Sequence, residues 1–185
     1  MIEIDPALMR QAMAALTHIP EGGPKALARA INRAAETART EASRKIREMY
    51  YIKHSDIRST ISIRKATASS IAAEVVSRGR PVALTKFRVT PRTVQPRRNS
   101  PVIVRVKRGG GGAVAGAFVA RVSSGHVGVF RRLGQSRLPI QQLYGPSVPQ
   151  MLGSPDVVRS VEQKAQEALE QRLNHEINRL LGGGG

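Results

Sequence analysis

Seven apolar side chains recur through residues 24–49 at steps of three and four: Leu27, Ile31, Ala34, Ala38, Ala42, Ile46 and Met49. That spacing places them on one face of an α-helix. Pro24 suits the first helical position, where its missing N–H costs nothing. Arg29, Arg33, Glu36, Thr40, Arg44 and Arg47 follow a second set of helical intervals. At 100° per residue this polar stripe lies roughly opposite the first. The apolar face is rich in alanine, so a neighbouring element can approach closely. A second long pattern runs over residues 155–181, with Val158, Val161, Ala165, Leu169, Leu173, Ile177 and Leu180 near a heptad repeat. Ser154, Pro155 and Asp156 supply an N-cap, a first helical residue and an acidic first turn. A shorter helix is predicted over 5–16, opened by Asp5 and Pro6, with Leu8, Met9, Ala12, Met13 and Leu16 on one face.

Between the two long helices the period changes to two. Ile61 and Ile63 alternate with Ser62 and Arg64, and Ile71, Ala73 and Val75 alternate with Ala72, Glu74 and Val76. These predict a hairpin turning through 67–70. Val102, Val104 and Val106 form a further strand, the glycines at 109–112 a turn, and Phe118, Ala120 and Val122 the return strand. Residues 126–131 complete a meander. The segment 85–100 is polar and basic and carries Pro91 and Pro96, with Pro101 just beyond it. Proline removes ladder donors, so this segment is expected to be an extended arm or long loop. Residues 132–153 are rich in Gly and Pro. The expected fold is α+β in a single domain: a mostly antiparallel sheet of four to five strands over 57–131, flanked by the two long helices, with the arm at 85–100.

Charge sharpens this picture. The chain has 185 residues and a net charge of +17. Residues 75–155 hold 14 Lys and Arg and not one Asp or Glu. A field of one sign attracts polyanions or an acidic protein partner. Only 3% of residues are aromatic and Trp is absent, so the core must be built from Ala, Val, Ile and Leu. Small side chains bury less area each, and contacts with other copies or partners would add to a modest monomer stability.

The same residues argue against several chemistries. Cys is absent, which removes disulfides, thiolate metal sites and Cys nucleophiles. His18, His54, His126 and His175 have no metal-ligand spacing among themselves, and His175-Glu176 is not part of an HExxH motif. Ser62 and Lys65 match an SxxK pattern, but its companion motifs are missing. The glycines at 109–112 precede no Gly-Lys-Ser/Thr, so they make no phosphate loop. No cofactor and no catalytic site is expected. The N-terminal residues lack the basic and apolar regions of a signal peptide, and no apolar run is long enough to span a bilayer. A cytoplasmic origin is expected. Sparse aromatics and the lack of a helix-turn-helix or finger pattern leave nucleic-acid binding only through phosphates, without sequence reading.

The most informative stretch is 125–151, GHVGVFRRLGQSRLPIQQLYGPSVPQM. Its blocks GVFRR, RLPI and LYGPSVPQM, with the upstream helix ALARAINRAAETARTEASRKI and the turn at 53–57, resemble the phage minor tail protein Z family. The resemblance covers about residues 24–180. It implies a tail completion protein at the head-proximal end of a long phage tail, needed for joining tail to head. It also implies assembly as a ring, commonly six-fold, contacts with other tail and neck proteins, and residence in the virion after assembly in the host cytoplasm. It transfers no catalytic residues.

Two sets of residues are therefore candidates for contact. Arg88, Arg92, Arg97, Arg98, Arg131, Arg132, Arg137, Tyr144, Pro146 and Pro149 are expected at subunit or partner interfaces. Arg29, Arg33, Arg44 and Arg47 form a basic stripe facing DNA phosphates in the tail channel, an acidic partner, or solvent. The alternative function is sequence-independent nucleic-acid binding.

Overall fold

The computed structural model describes residue 14 and residues 22–182. The short helix expected over 5–16 lies outside the described residues, save Ala14, which is helical. The fold is mixed α+β, with two long helices and antiparallel strands. The chain gathers into two compact units. One comprises Met1–Lys45, Ser59–Arg78 and Leu152–Gly185; the other comprises Ile46–Arg58 and Gly79–Met151.

In the first unit, helix α1 (Gly23–Met49) carries the expected apolar stripe, buried from Leu27 to Ala42. Its buried face is wider than the stripe, because Ala26, Ala28, Ala30 and Ala35 are buried too. Alanine adds so little bulk that neighbours reach the helix on a broad front. Leu27, Ile31 and Ala34 pack with Leu169 and Leu173 of the C-terminal helix (Pro155–Gly182) and with Ala66. Full burial of each leucine contributes about 1.5–3 kcal/mol. The C-terminal helix opens as expected, with the Ser154 carbonyl accepting the Val157 and Val158 N–H groups at 2.9 and 3.0 Å. Its buried row starts at Val157 rather than Val158, then runs Val161, Ala165, Leu169, Leu173 at strict steps of four.

The hairpin of strands β1 (Ile61–Arg64) and β2 (Glu74–Ser77) belongs to the same unit, with Ile63 opposite Val75. The turn at 67–70 closes with reciprocal backbone bonds between Thr67 and Ser70. Pairing begins later than expected. Ile71 and Ala73 leave the ladder and pack on the helical core. The connection is fastened to α1 by Asn32. Its Nδ2 donates to the Ala66 carbonyl at 2.9 Å, and its Oδ1 accepts the Ala66 N–H at 2.8 Å.

The second unit holds the end of α1, the single turn α2 (His54–Arg58) and eight short strands. The strands are divided among small sheets instead of one sheet of four to five. Strand β3 (Val82–Ala83) pairs β10 (Tyr144–Gly145). Strands β4 (Arg88–Thr90), β5 (Val102–Arg105) and β6 (Gly112–Val114) form one three-stranded sheet. Strands β7 (Ala117–Arg121), β8 (Val127–Arg132) and β9 (Ile140–Gln142) form another. The expected meander is corrected at one point. The partner of the Val102 strand is β6, inside the glycine-rich turn, and the Phe118 strand pairs only with β8. The glycines make this possible. Gly111 has φ +143, and a Cβ there would lie 2.4 Å from Arg105 Cγ and 2.7 Å from the Val104 carbonyl oxygen.

The arm expected at 85–100 is also shorter than its composition suggests. Leu84–Lys86 is a 3₁₀ turn and Arg88–Thr90 is an edge strand. Phe87 and Val89 are buried, which outweighs the surrounding polar residues. Only 91–101 is irregular, and Arg92 onward is exposed. The segment 132–153 is more ordered than a run of turn formers. It contains β9, β10 and α3 (Val148–Leu152). Ser147 Oγ and Gln150 cap that helix reciprocally: Ser147 N donates to Gln150 Oε1 at 2.8 Å, and Gln150 N donates to Ser147 Oγ at 3.4 Å. After this helix the C-terminal helix is α4.

Candidate functional site

The second unit carries nearly all of the charge. It contains 16 of the 30 Lys and Arg but only Glu48 and Asp56 of the 13 acids, a net +14. Five of those cations, Lys53, Lys86, Arg88, Arg92 and Arg108, surround one open cleft of about 570 Å³. Its floor is apolar and already covered, with Phe87 and Val89 at 5% and 4% exposure.

Tyr51 orders the cleft. The Arg108 guanidinium lies 4.8 Å from its ring centroid and the Arg88 guanidinium 5.5 Å. Each such contact is worth about 0.5–1 kcal/mol when exposed, enough to hold two like charges near one ring. Backbone pairing sets the register. The Tyr51 N–H donates to the Val106 carbonyl at 2.9 Å, and the Arg108 N–H donates to the Met49 carbonyl at 2.7 Å. Arg108 Nε donates to the Arg47 carbonyl at 2.9 Å, so it also satisfies the C-terminal end of α1. Lys86 Nζ is paired with Asp56 Oδ1 at 2.9 Å. Among the described residues, Lys53, Arg88, Arg92 and Arg108 have no carboxylate partner.

The structure thus brings Arg88 and Arg92 of the expected contact residues into the cleft, beside four groups that sequence reasoning missed: Tyr51, Lys53, Lys86 and Arg108. Tyr51 and Arg108 are 57 positions apart, and only the pairing across Tyr50 and Lys107 unites them. Arg97 and Arg98 lie elsewhere on the exposed connection, where Arg98 donates to Gln95 Oε1 and the Ser100 carbonyl at 3.2 and 3.1 Å.

Arg131, Arg132 and Arg137 share a second feature, the exposed tip of the β8–β9 hairpin. The Leu133 N–H donates to the Pro139 carbonyl at 3.1 Å. Every residue from 131 to 139 is exposed, and Leu133 and Leu138 are 60% and 66% exposed. The Arg132 guanidinium lies 5.8 Å from the Phe118 ring centroid. Tyr144 is exposed on β10, while Pro146 and Pro149 are half-buried about the start of α3.

The stripe on α1 divides. Arg29 donates Nε and Nη2 to Glu176 Oε2 at 3.1 and 2.7 Å. Arg179 Nη2 lies 2.8 Å from the same oxygen. Arg172 Nη2 lies 2.8 Å from Oε1 but without hydrogen-bond alignment, and Oε1 accepts no hydrogen bond. The bonds from Arg29 hold the Glu176 carboxyl below its ordinary value against the opposing effect of burial, and the three positive charges add to the lowering. Arg44 is likewise committed to Glu41, donating Nε and Nη2 at 2.8 and 2.6 Å. These bonds, with a further one from Ser160, lower the Glu41 carboxyl. Arg33 stays exposed beside a shallow groove it shares with Lys164, Arg172 and His175. Arg47 is exposed at the end of the helix, in the second unit.

Among the described residues no group of three or more His, Asp or Glu could hold a metal ion. None of the described helices is long and apolar enough to cross a membrane.

The model of the family described as prophage minor tail protein Z (GPZ) matches residues 9–182. The chain belongs to this family. It is a phage minor tail protein, a structural component of the tail and so of the virion. The match takes in both long helices, the basic cleft and the hairpin tip. No curated protein and no solved structure matches the chain.

Proposed function

We propose that this minor tail protein acts at the head-proximal end of the tail, completes it, and makes it competent to join the filled head. It does so as a ring of identical copies and has no catalytic role. The supporting observation is the exposed hairpin tip. Arg131, Arg132 and Arg137 project there together with Leu133 and Leu138, and the second unit offers almost no acid to neutralise them. Exposed aliphatic side chains ringed by cations suit a neighbouring tail or neck subunit with an acidic rim and an apolar socket. A basic subunit also suits a channel through which a polyanion passes.

Particles assembled without the protein test this reading. Electron microscopy is expected to show separate filled heads and unjoined tails of normal length. Normal infectious particles would overturn it.

A further inference from the structure

We propose that the cleft around Tyr51 is a binding site for the phosphodiester backbone of nucleic acid, gripped without reading sequence. The proposal does not rest on the head-proximal placement and stands or falls separately.

Four cations without a carboxylate partner among the described residues, Lys53, Arg88, Arg92 and Arg108, face one opening in a unit of net charge +14. Their mutual repulsion is relieved most by a ligand carrying several negative charges. Arginine presents a planar fork that suits phosphate oxygens. The apolar residues of the cleft do not favour a peptide. Phe87, Val89 and Val119 are already buried within the unit, so an incoming chain gains little apolar burial there. Protein interfaces draw most of their energy from a few newly buried anchors, chiefly Trp, Tyr and Arg in desolvated pockets, and the Tyr51 ring is already occupied by Arg88 and Arg108. A ligand held in this cleft is held by charge, which is how nucleic-acid backbones are bound. The same cleft is unsuited to base recognition. Two guanidiniums already lie over the Tyr51 ring, so that ring is not free to stack a base, and no second aromatic is exposed beside it.

The contrast with the hairpin tip supports the assignment. There, two leucines are exposed among the arginines, as a protein contact requires. In the cleft the aliphatic lining residues are buried, and the exposed ones are the five cations and Thr85.

The test is binding of the full chain to a fluorescent duplex and to a single strand of mixed sequence, each measured over a range of salt. Binding is expected to be independent of sequence, and affinity is expected to fall linearly with salt on logarithmic axes. Each phosphate contact contributes about −0.9 to the slope for duplex and about −0.7 for a single strand. The two arms therefore show which form the cleft takes, and binding of either supports the proposal. The variant K53A/R88A/R92A leaves Arg108 in place because its side chain caps α1. It is expected to make the duplex slope shallower by about 2.7, or the single-strand slope by about 2.1. The control R97A/R98A/R137A removes the same charge outside the cleft and is expected to keep most of the slope. Equal losses in the two variants would mean diffuse attraction and overturn the site. So would a cleft that binds a glutamate-rich peptide while leaving DNA unbound. Circular dichroism and thermal melting of both variants exclude unfolding as the cause.

Discussion

Arg29 Nη2 lies 2.7 Å from Oε2 of Glu176, a carboxylate that is completely buried 147 positions away in the chain. On α1 alone, Arg29 reads as part of a stripe facing outward. On α4 alone, Glu176 reads as a polar residue beside the apolar row. Together they tie the two helices of the first unit by a charge-assisted bond, and Arg172 and Arg179 close around the same carboxylate.

Stability at acid pH follows from this cluster. The Glu176 carboxyl is held below its ordinary value of 4.5. Its ionised form therefore stabilises the fold fully above that value, and the contribution is lost as pH falls below it through the folded-state value. Glu176→Gln is expected to cost about 1.5–3 kcal/mol at pH 7, the range for a hydrogen bond to a charged group. It should also flatten the acid dependence. Urea midpoints at neutral pH and at several points below pH 4.5 check both. Parallel curves for the two proteins would refute the coupling.

Asn32→Ala removes both side-chain bonds to Ala66, whose N–H and C=O are left without these partners in a buried position. The expected loss is about 1–3 kcal/mol. Hydrogen exchange should localise it to the connection between β1 and β2, with the second unit unchanged. Uniform loss of protection would point to a different cause.

Gly145 sits in the most recognisable block of the chain, and its reason is packing. A Cβ there would lie 2.7 Å from Cε2 of Phe87, a side chain only 5% exposed. Gly145→Ala is expected to cost about 1–3 kcal/mol by overpacking. Phe87→Leu in the same chain should recover part of that loss by shortening the opposing ring. A destabilised double variant with no recovery would remove this explanation.

The hairpin tip predicts a phenotype without a stability cost. Arg131→Glu with Arg137→Glu is expected to change unfolding free energy by no more than about 0.5 kcal/mol, because both residues are exposed surface positions. Head–tail joining in complementation should fall sharply, and Leu133→Ser with Leu138→Ser should act in the same direction. Normal titres from both pairs would show that the tip makes no assembly contact.

These residues also mark how far the sequence was legible. Ala34, Ala38 and Ala42 are buried where the helical period puts them. The Ser154 start of α4 and the turn at 67–70 are likewise encoded locally. Strand partnership was not. The alternation at Val102 and Phe118 predicted two strands, yet nothing in it showed that β6 would come between them. The arm was over-read for the same reason: its composition is that of a loop, while Phe87 and Val89 are held by burial against distant residues. Arg29 and Arg44 were candidates for outside contact, and their carboxylate partners were invisible until the helix faces were known.

The sequence by itself determined the two long helices, the class of fold, the acid-free basic middle and the family. The first three are written in a local period or in composition and the family in the motif blocks of 125–151, and none of these needs knowledge of what packs against it. Only the tertiary structure decided that Lys53 and Arg108 meet Arg88 and Arg92 around Tyr51, and that Glu176 draws three arginines to itself. Those relationships depend on which segments become neighbours. Packing and backbone pairing across distant positions choose them, and no local pattern records the choice.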